Sequence, residues 1–358
     1  MAQKMMGYIK DQPEVWKSIV EQRKELCRGF VEANKGKTVK RIVMLGSGSS
    51  LTAPSMAREF FQDFLGIEVL AVAPTRFGSL WKLLDPETTL YWAISQSGRS
   101  TSTIAVIDEL HEQGIKVTAL TANPESAVAA RCDEHVLIAC GAEMVGAKTK
   151  GMTSTALTLY LMGMELCLAQ GRLAQADYDK MIADLLRSFS LASETIEKSI
   201  VWCRNEESKA NLTAAPHIIL VAEGMNYPVS LEAALKMLET LRMPVFTYEF
   251  EEYLHGVVNT VDDQSYMIYL VSDSHNRERM LQLFDYTAKY GSHNLIVSHG
   301  TPTGRANELY LETSGNDFTL PFETLLPFHV ISALSSEDRG IDCDLPKFPD
   351  FLVMGTKA

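Results

Sequence analysis

Short runs of apolar residues alternate with amphipathic segments along most of the chain. The first residues interleave charged and apolar side chains at helical spacing, which predicts a helix that ends near Asn34. A shorter helix is predicted over 53–64 and a long apolar one over 150–169. Alternating strands and helices are typical of a parallel sheet with helices on both faces. The predicted strands are 41–45, 89–94, 116–120 and 135–138.

The second half of the chain repeats this pattern at an offset of about 175 residues, far longer than a solenoid repeat. We therefore expect a duplicated domain. The predicted fold class is α/β, with two tandem domains that each contain an open parallel sheet, doubly wound in the flavodoxin-like manner. The predicted strands of the second half are 217–221, 266–271, 294–297 and 308–311.

Five segments follow from this repeat. The predicted divisions are an N-terminal helical segment (1–36), a first domain (37–172), a helical connector (173–210), a second domain (211–340) and a tail (341–358).

The composition is that of an acidic globular protein. Hydrophobic residues make up 46% of the 358 residues, and the net charge is −12. Such a charge opposes general attraction to nucleic acid, so we expect no nucleic-acid partner. No segment has about eighteen uninterrupted apolar residues, and the N-terminus lacks a secretory pattern. We therefore expect no membrane association and a cytoplasmic location.

The six cysteines are scattered, and no CxxC or His-x-x-His spacing accompanies them. This pattern indicates neither a disulfide framework nor a zinc site. We expect reduced thiols, a reducing compartment and no bound metal.

A glycine- and serine-rich turn, Gly46-Ser-Gly-Ser-Ser50, follows the first predicted strand. Glycines let a backbone turn tightly, and the start of the next helix offers N–H groups to an anion. A dinucleotide motif would need a third glycine where Leu51 stands, and the Gly-Lys-Ser/Thr of a P-loop is missing. We expect no nucleotide cofactor. Serines at this place are also typical of simple helix caps.

A second polar turn, Ser95-Gln-Ser-Gly-Arg-Ser-Thr101, follows the strand predicted at 89–94. Its hydroxyls, amide and arginine at a helix start are suited to binding a phosphate without a metal. Because the two turns follow neighbouring strands, we expect them to converge on one phosphorylated ligand.

Together these motifs resemble the sugar isomerase (SIS) domain family. The resemblance rests on LGSGSSLTA (45–53), SQSGRST (95–101), CGAEMVGAKTKGMTSTAL (140–157), LEAALKMLETL (231–241) and EFEEYLHG (249–256). Their order and spacing are similar to those in the isomerase half of glutamine–fructose-6-phosphate aminotransferases. The glutaminase part of those enzymes has no counterpart in the sequence, so we expect no ammonia supply from glutamine.

The resemblance implies a set of site residues. Glu239 stands where the family has the base that moves a proton between C1 and C2, and His255 where it has a histidine that assists ring opening. In the family this histidine comes from the neighbouring subunit, which implies a homodimer or higher homo-oligomer with shared sites. The implied substrate-binding residues are Ser49, Ser50, Ser95, Gln96, Ser97, Ser100, Gly146, Lys148, Glu232 and Lys236.

Spacing alone leaves two interpretations of the 231–241 segment. Glu232, Lys236 and Glu239 lie at i, i+4 and i+7, on one face of an otherwise apolar helix. They could form an acid–base site, or Glu232 and Lys236 could form a surface salt bridge of little energetic value. His255, taken alone, is more often structural than catalytic.

The sequence departs from the synthase pattern at several positions. Arg99 replaces a glutamate, Val257 replaces a proline, and Lys148 replaces a small hydroxyl residue. Phe351 stands where the synthase tail has the lysine that forms an imine with the open-chain sugar, and neither Lys347 nor Lys357 matches that place. These changes argue against the synthase reaction.

The favoured hypothesis is a deglycase that splits a fructosamine 6-phosphate into a hexose 6-phosphate and an amine, since such a substrate brings its own nitrogen. Lys148 would then pair with a carboxylate on the amine. An aldose–ketose isomerase or a deaminase of an amino-sugar 6-phosphate is the alternative. A non-catalytic sugar-phosphate sensor is a third, disfavoured because a sensor does not need both Glu239 and His255.

Overall fold

The computed structural model describes residues 4–348 and 350, and helices and strands alternate through most of this range. The helices are α1 (Lys4–Asn34), α2 (Ser49–Leu65), α3 (Pro74–Phe77), α4 (Thr101–Glu112), α5 (Lys150–Ala169), α6 (Gln175–Arg204), α7 (Glu206–Ala214), α8 (Asn226–Leu241), α9 (Phe250–Leu254), α10 (Arg277–Lys289), α11 (Leu320–Thr324) and α12 (Leu326–Asp338). The strands are β1 (Arg41–Leu45), β2 (Glu68–Val72), β3 (Thr89–Ile94), β4 (Val117–Thr121), β5 (Glu134–Leu137), β6 (Ile218–Ala222), β7 (Val245–Glu249), β8 (Tyr266–Val271), β9 (His293–His299) and β10 (Glu308–Leu311).

Two five-stranded sheets carry the fold, and every strand pairing in them is parallel. The first has the order β2-β1-β3-β4-β5, and the second has the order β10-β9-β8-β6-β7. Numbered within their own halves, both follow the order 2-1-3-4-5, which is the flavodoxin-like arrangement. The predicted α/β fold with two doubly wound sheets is therefore confirmed.

The chain divides into two compact units, and each is described by itself. The first unit contains the first sheet and comprises residues 14–143 and 148–183, with the described tail from Pro346. The second unit contains the second sheet and comprises residues 4–13, 144–147 and 184–345.

Eight of the ten strands lie close to their predicted positions, and helix α1 ends at Asn34 as predicted. Strands β2 and β7 were not predicted. Both lie at a sheet edge and are only partly buried, as are β5 and β10, which were predicted. Helix α2 begins at Ser49, earlier than the predicted 53, which places the serines in its first turn.

Helix α5 is the only one in the described part of the chain with the length and hydropathy of a membrane span. Its apolar window has a mean hydropathy of 1.3, and 89% of that window is buried. The Tyr160 ring stacks on Phe60 of α2 with a centroid distance of 4.1 Å, and the Trp16 indole donates to Thr153 Oγ1 at 2.9 Å. Such extensive burial is typical of a core helix in a globular domain.

Candidate functional site

The turn after β1 brings backbone and hydroxyls close together. A Cβ at Gly46 would overlap the carbonyl oxygen of Ser50, so no other residue fits there. Gly48 has φ +59° and precedes the first residue of α2, Ser49. Ser49 and Ser50 are both half-buried. The predicted hydroxyl-lined turn at a helix N-terminus is therefore present.

The turn after β3 is equally tight. Gly98 has φ +67°, and its N–H donates to the Ser95 carbonyl at 2.8 Å. A Cβ at Gly98 would overlap the side chain of Ser126. Ser95 is buried, whereas Ser97 at the tip of the turn is exposed and accessible to a ligand.

Ser100 is the N-cap of α4. Its Oγ accepts hydrogen bonds from the Thr103 N–H at 3.4 Å and from Thr103 Oγ1 at 3.0 Å. The hydroxyl thus stabilises the first turn of the helix. Phosphate binding by Ser100 stays a prediction.

Both turns lie at the same edge of the first sheet. Strands β1 and β3 are parallel neighbours, with Leu45 opposite Ala93, so their carboxyl ends are adjacent. This is the switch point of the sheet, where open α/β folds bind their ligands. The structure therefore brings together Ser49, Ser50, Ser95, Gln96, Ser97 and Ser100 in the first unit.

Glu143 is a residue of this region that the sequence analysis missed. Its buried carboxylate accepts hydrogen bonds from four donors at the start of α5, the Thr149, Lys150 and Gly151 N–H groups and the Thr149 hydroxyl, at 2.8–3.2 Å. A negative charge at a helix N-terminus is stabilised by the unpaired N–H groups. Its only sequence signal is an acid shortly before an apolar helix.

Gln96 and Lys148 are both linked to this capped helix start. The Gln96 amide lies 3.7 Å from Cys140 Sγ, and a Cβ at Gly151 would lie 2.7 Å from Gln96 Nε2. The Lys148 ammonium donates to the backbone carbonyl of Glu143. Gly146 is exposed and belongs to the second unit, so the structure does not join it to these residues.

In the second unit, helix α8 places three charged side chains in contact. Lys236 Nζ lies 3.5 Å from Glu232 Oε1 and hydrogen-bonds Glu239 Oε2. The side chains of Glu232 and Lys236 are 0% and 2% exposed, whereas that of Glu239 is 36% exposed. The surface salt-bridge interpretation is therefore wrong, because this pair is buried.

The charge state of Lys236 follows from its neighbours. Burial alone would lower the pKa of Lys236, but the carboxylates of Glu232 and Glu239 outweigh burial and raise that pKa above its ordinary value. Lys236 is therefore an ammonium ion at neutral pH. It holds Glu239 while leaving that carboxylate partly open to solvent.

His329 of α12 was also missed by the sequence analysis. It is fully buried, its Nδ1 lies 3.3 Å from Gln12 Nε2, and its Nε2 has no hydrogen-bond partner among the described residues. Burial, together with the charge of Lys236, lowers the pKa of His329 to about 3. The ring is therefore neutral and adds no second positive charge beside Lys236.

His255 lies at the C-terminal end of the short helix α9 and is exposed. Its Nδ1 lies 2.8 Å from the Glu251 carbonyl, which can only accept, so Nδ1 carries the proton in the neutral ring. Nε2 is then the atom that can accept a proton. Within the described ranges no hydrogen bond or ion pair links His255 to Glu239, and supply of His255 by a second copy stays a prediction.

The tail position that distinguishes the synthases, Phe351, lies outside the described residues, as does Lys357. Lys347 is exposed, and its ammonium lies 5.3 Å from the Phe348 ring. Within 4–348 and 350, no group of three or more His, Cys, Asp or Glu side chains is arranged to hold a metal ion.

Curated relatives are glutamine–fructose-6-phosphate aminotransferases. That of Symbiobacterium thermophilum is 24% identical over 354 residues, covering 96% of this chain and 57% of its own length. That of Clostridium acetobutylicum is 22% identical, covering 86% and 51%. The chain thus spans about half the length of the curated relatives it matches.

Solved structures of sugar-phosphate proteins are also similar to this chain. A candidate phosphosugar isomerase from Clostridium difficile 630 superposes with a TM-score of 0.90 at 26% identity, covering 98% of this chain and 97% of that one. A glucosamine-6-phosphate deaminase from Thermotoga maritima shares the fold, with a TM-score of 0.69 at 20% identity and coverage of 96% and 97%. The SIS domain family model matches residues 37–164 and 211–319. Since both halves are matched, this chain belongs to the SIS domain family.

Proposed function

We propose that this protein is a phosphosugar enzyme that cleaves a fructosamine 6-phosphate into a hexose 6-phosphate and a free amine. The observation that carries the proposal is the contact between Lys236 and Glu239. The buried Lys236 ammonium holds a carboxylate that is 36% exposed, which suits a base that acts on a bound substrate. The sequence has Phe351 where the synthases have the lysine that forms an imine with the sugar, and a substrate that already carries its amine at C1 needs no such lysine.

Binding would begin at the phosphate. The hydroxyls of Ser49, Ser50 and Ser97 lie at the carboxyl ends of β1 and β3, where helix N-termini favour an anion. Hydroxyl and N–H donors bind phosphate without net positive charge, which suits a chain of net charge −12.

The proton transfers can be written with the two candidate catalytic residues. Glu239 removes a proton from C1 of the open-chain ketose, and the C2 oxygen takes a proton from Nε2 of the His255 imidazolium, which leaves the neutral ring with its proton on Nδ1 and gives an enaminol. Return of a proton to C2 gives the imine of the aldose. Water then adds to C1, the C–N bond breaks, and hexose 6-phosphate and amine leave.

The position of Lys148 favours a substrate whose amine is that of an amino acid. Its ammonium is half-buried beside the capped start of α5, in the same unit as the phosphate turns. A cation at this place would attract the carboxylate of a fructosamine derived from an amino acid.

An aldose–ketose isomerase or deaminase of an amino-sugar 6-phosphate is the second candidate. Its support is the fold shared with the Thermotoga maritima deaminase and with a tagatose-6-phosphate ketose/aldose isomerase from Escherichia coli. Both reactions use the same proton transfer between neighbouring carbons.

A substrate panel separates these candidates. The protein is mixed with fructosamine 6-phosphates of several amino acids and with glucosamine 6-phosphate, and hexose 6-phosphate, ammonia and amino acid are assayed separately. We expect equal amounts of hexose 6-phosphate and amino acid, and about a 100- to 10,000-fold loss of rate in Glu239→Gln. The Lys148→Ala variant should no longer discriminate between fructosamine 6-phosphates that carry different amino acids. Ammonia from glucosamine 6-phosphate alone, or full activity of Glu239→Gln, would overturn the proposal.

A further inference from the structure

The second sheet has its own switch point, between β6 and β8, and a carboxylate fills it. Glu223 directly follows β6, is only 8% exposed, and accepts hydrogen bonds from Ser274 Oγ and from Asn276 Nδ2, the latter at 2.8 Å. Both donors lie in the loop after β8. The second unit thus provides its own anion at the position where the first unit offers hydroxyls to a ligand.

Hydrogen bonds continue outward from this buried carboxylate. Asn276 Oδ1 accepts from Arg279 Nη1 at 2.8 Å, and the same guanidinium nitrogen pairs with Glu251 Oε1. The Arg279 guanidinium also lies 5.1 Å from the centre of the Phe250 ring. Arg279 therefore holds two consecutive residues of helix α9.

Helix α9 has only five residues and depends on such contacts. Glu249 caps its start, accepting from the Glu251 and Glu252 N–H groups at 2.7 and 3.2 Å. At its end, the Glu251 carbonyl accepts the proton of His255 Nδ1. Side-chain and backbone atoms of Glu251 thus connect Arg279 to the ring of His255.

We propose that Arg279 is a positioning residue, anchored on Glu223 through Asn276, which fixes the place and tautomer of His255. This inference rests on the proposed function, in which His255 transfers a proton. An exposed ion pair alone is worth little. Here one partner is tied to a buried carboxylate and the other to the helix that ends in the candidate catalytic histidine.

The kinetic test compares Arg279→Ala with Arg305→Ala. Arg305 makes a two-point ion pair with Asp285, at 2.8 and 2.9 Å, and makes no contact with α9 among the described residues. We expect Arg279→Ala to lower kcat by about 10- to 100-fold, as a 1 Å displacement of a catalytic group does, and to change KM little. Arg305→Ala should keep the wild-type kcat. Arg279→Lys should recover only part of the loss, because a lysine ammonium can pair with Glu251 but lacks the planar guanidinium that lies over the Phe250 ring.

A second measurement needs no substrate. Hydrogen–deuterium exchange of the peptide 249–260 should be faster in Arg279→Ala than in the wild-type protein and in Arg305→Ala. Unchanged exchange would overturn the positioning role even if the substrate panel succeeds. Faster exchange in Arg279→Ala with an unchanged kcat on an active substrate would overturn the link between Arg279 and catalysis. If the panel finds no substrate, the proposed function fails, and the exchange result still decides whether Arg279 holds the His255 segment.

Discussion

The burial of Lys236 makes it the most sensitive single charge on helix α8. Lys236→Met should destabilise the protein by about 3–5 kcal/mol, because it leaves the Glu232 carboxylate buried without its partner. Lys10→Met is the matched control. It removes an exposed ion pair with Glu197 and should cost about 0–1 kcal/mol. Urea unfolding of the two variants measures the difference, and equal losses would contradict the argument.

Single-residue roles were only partly predictable from the sequence. The spacing of Glu232, Lys236 and Glu239 placed them on one face, but spacing could not say that the first two are buried. Glu143 and His329 were missed because their partners are distant in sequence or are backbone N–H groups. Such contacts exist only once the elements have packed.

Among the elements, the turn between β3 and α4 should tolerate substitution poorly. Gly98→Ala would force a positive φ and an overlap with Ser126, at a cost of about 2–4 kcal/mol. Gly114→Ala is the control, since it also has a positive φ but has open space around it, and should cost about 1 kcal/mol. Unfolding free energies test this, and KM for the sugar phosphate should rise only in Gly98→Ala.

Strands buried on both faces were predictable because they read as short apolar runs between polar turns. Strand β3 is buried at every position, and its observed bounds are those predicted. Strands β2 and β7 were missed although EVLAV and VFTYE are rich in apolar and β-branched residues. The partly buried edge strands β5 and β10 were predicted, so edge position alone does not explain the difference. The internal repeat predicted that both sheets share one strand order, since a second copy of the same pattern implies the same topology.

At the scale of the whole molecule, we propose a cytoplasmic homodimer in which each active site takes His255 from the partner subunit. Mixing inactive Glu239→Gln and His255→Ala proteins should then restore about a quarter of the wild-type sites, because half of the symmetric dimers are mixed and each has one intact site. A mixture of Glu239→Gln with Glu239→Ala should stay inactive. Light scattering reports the oligomeric state, and a dimer without recovered activity would contradict shared sites.

The extensive burial of helix α5 has a consequence for how the protein is made. Until other helices pack against it, this segment exposes an apolar stretch with the length and hydropathy of a membrane span. Three of the side chains that cover it, Trp16, Phe60 and Phe61, come from helices synthesised earlier, whereas Tyr178, which bonds Glu165, comes from the later helix α6. Part of the cover is therefore already synthesised when the segment leaves the ribosome, which shortens the time during which the nascent chain can aggregate or be mistaken for a membrane protein.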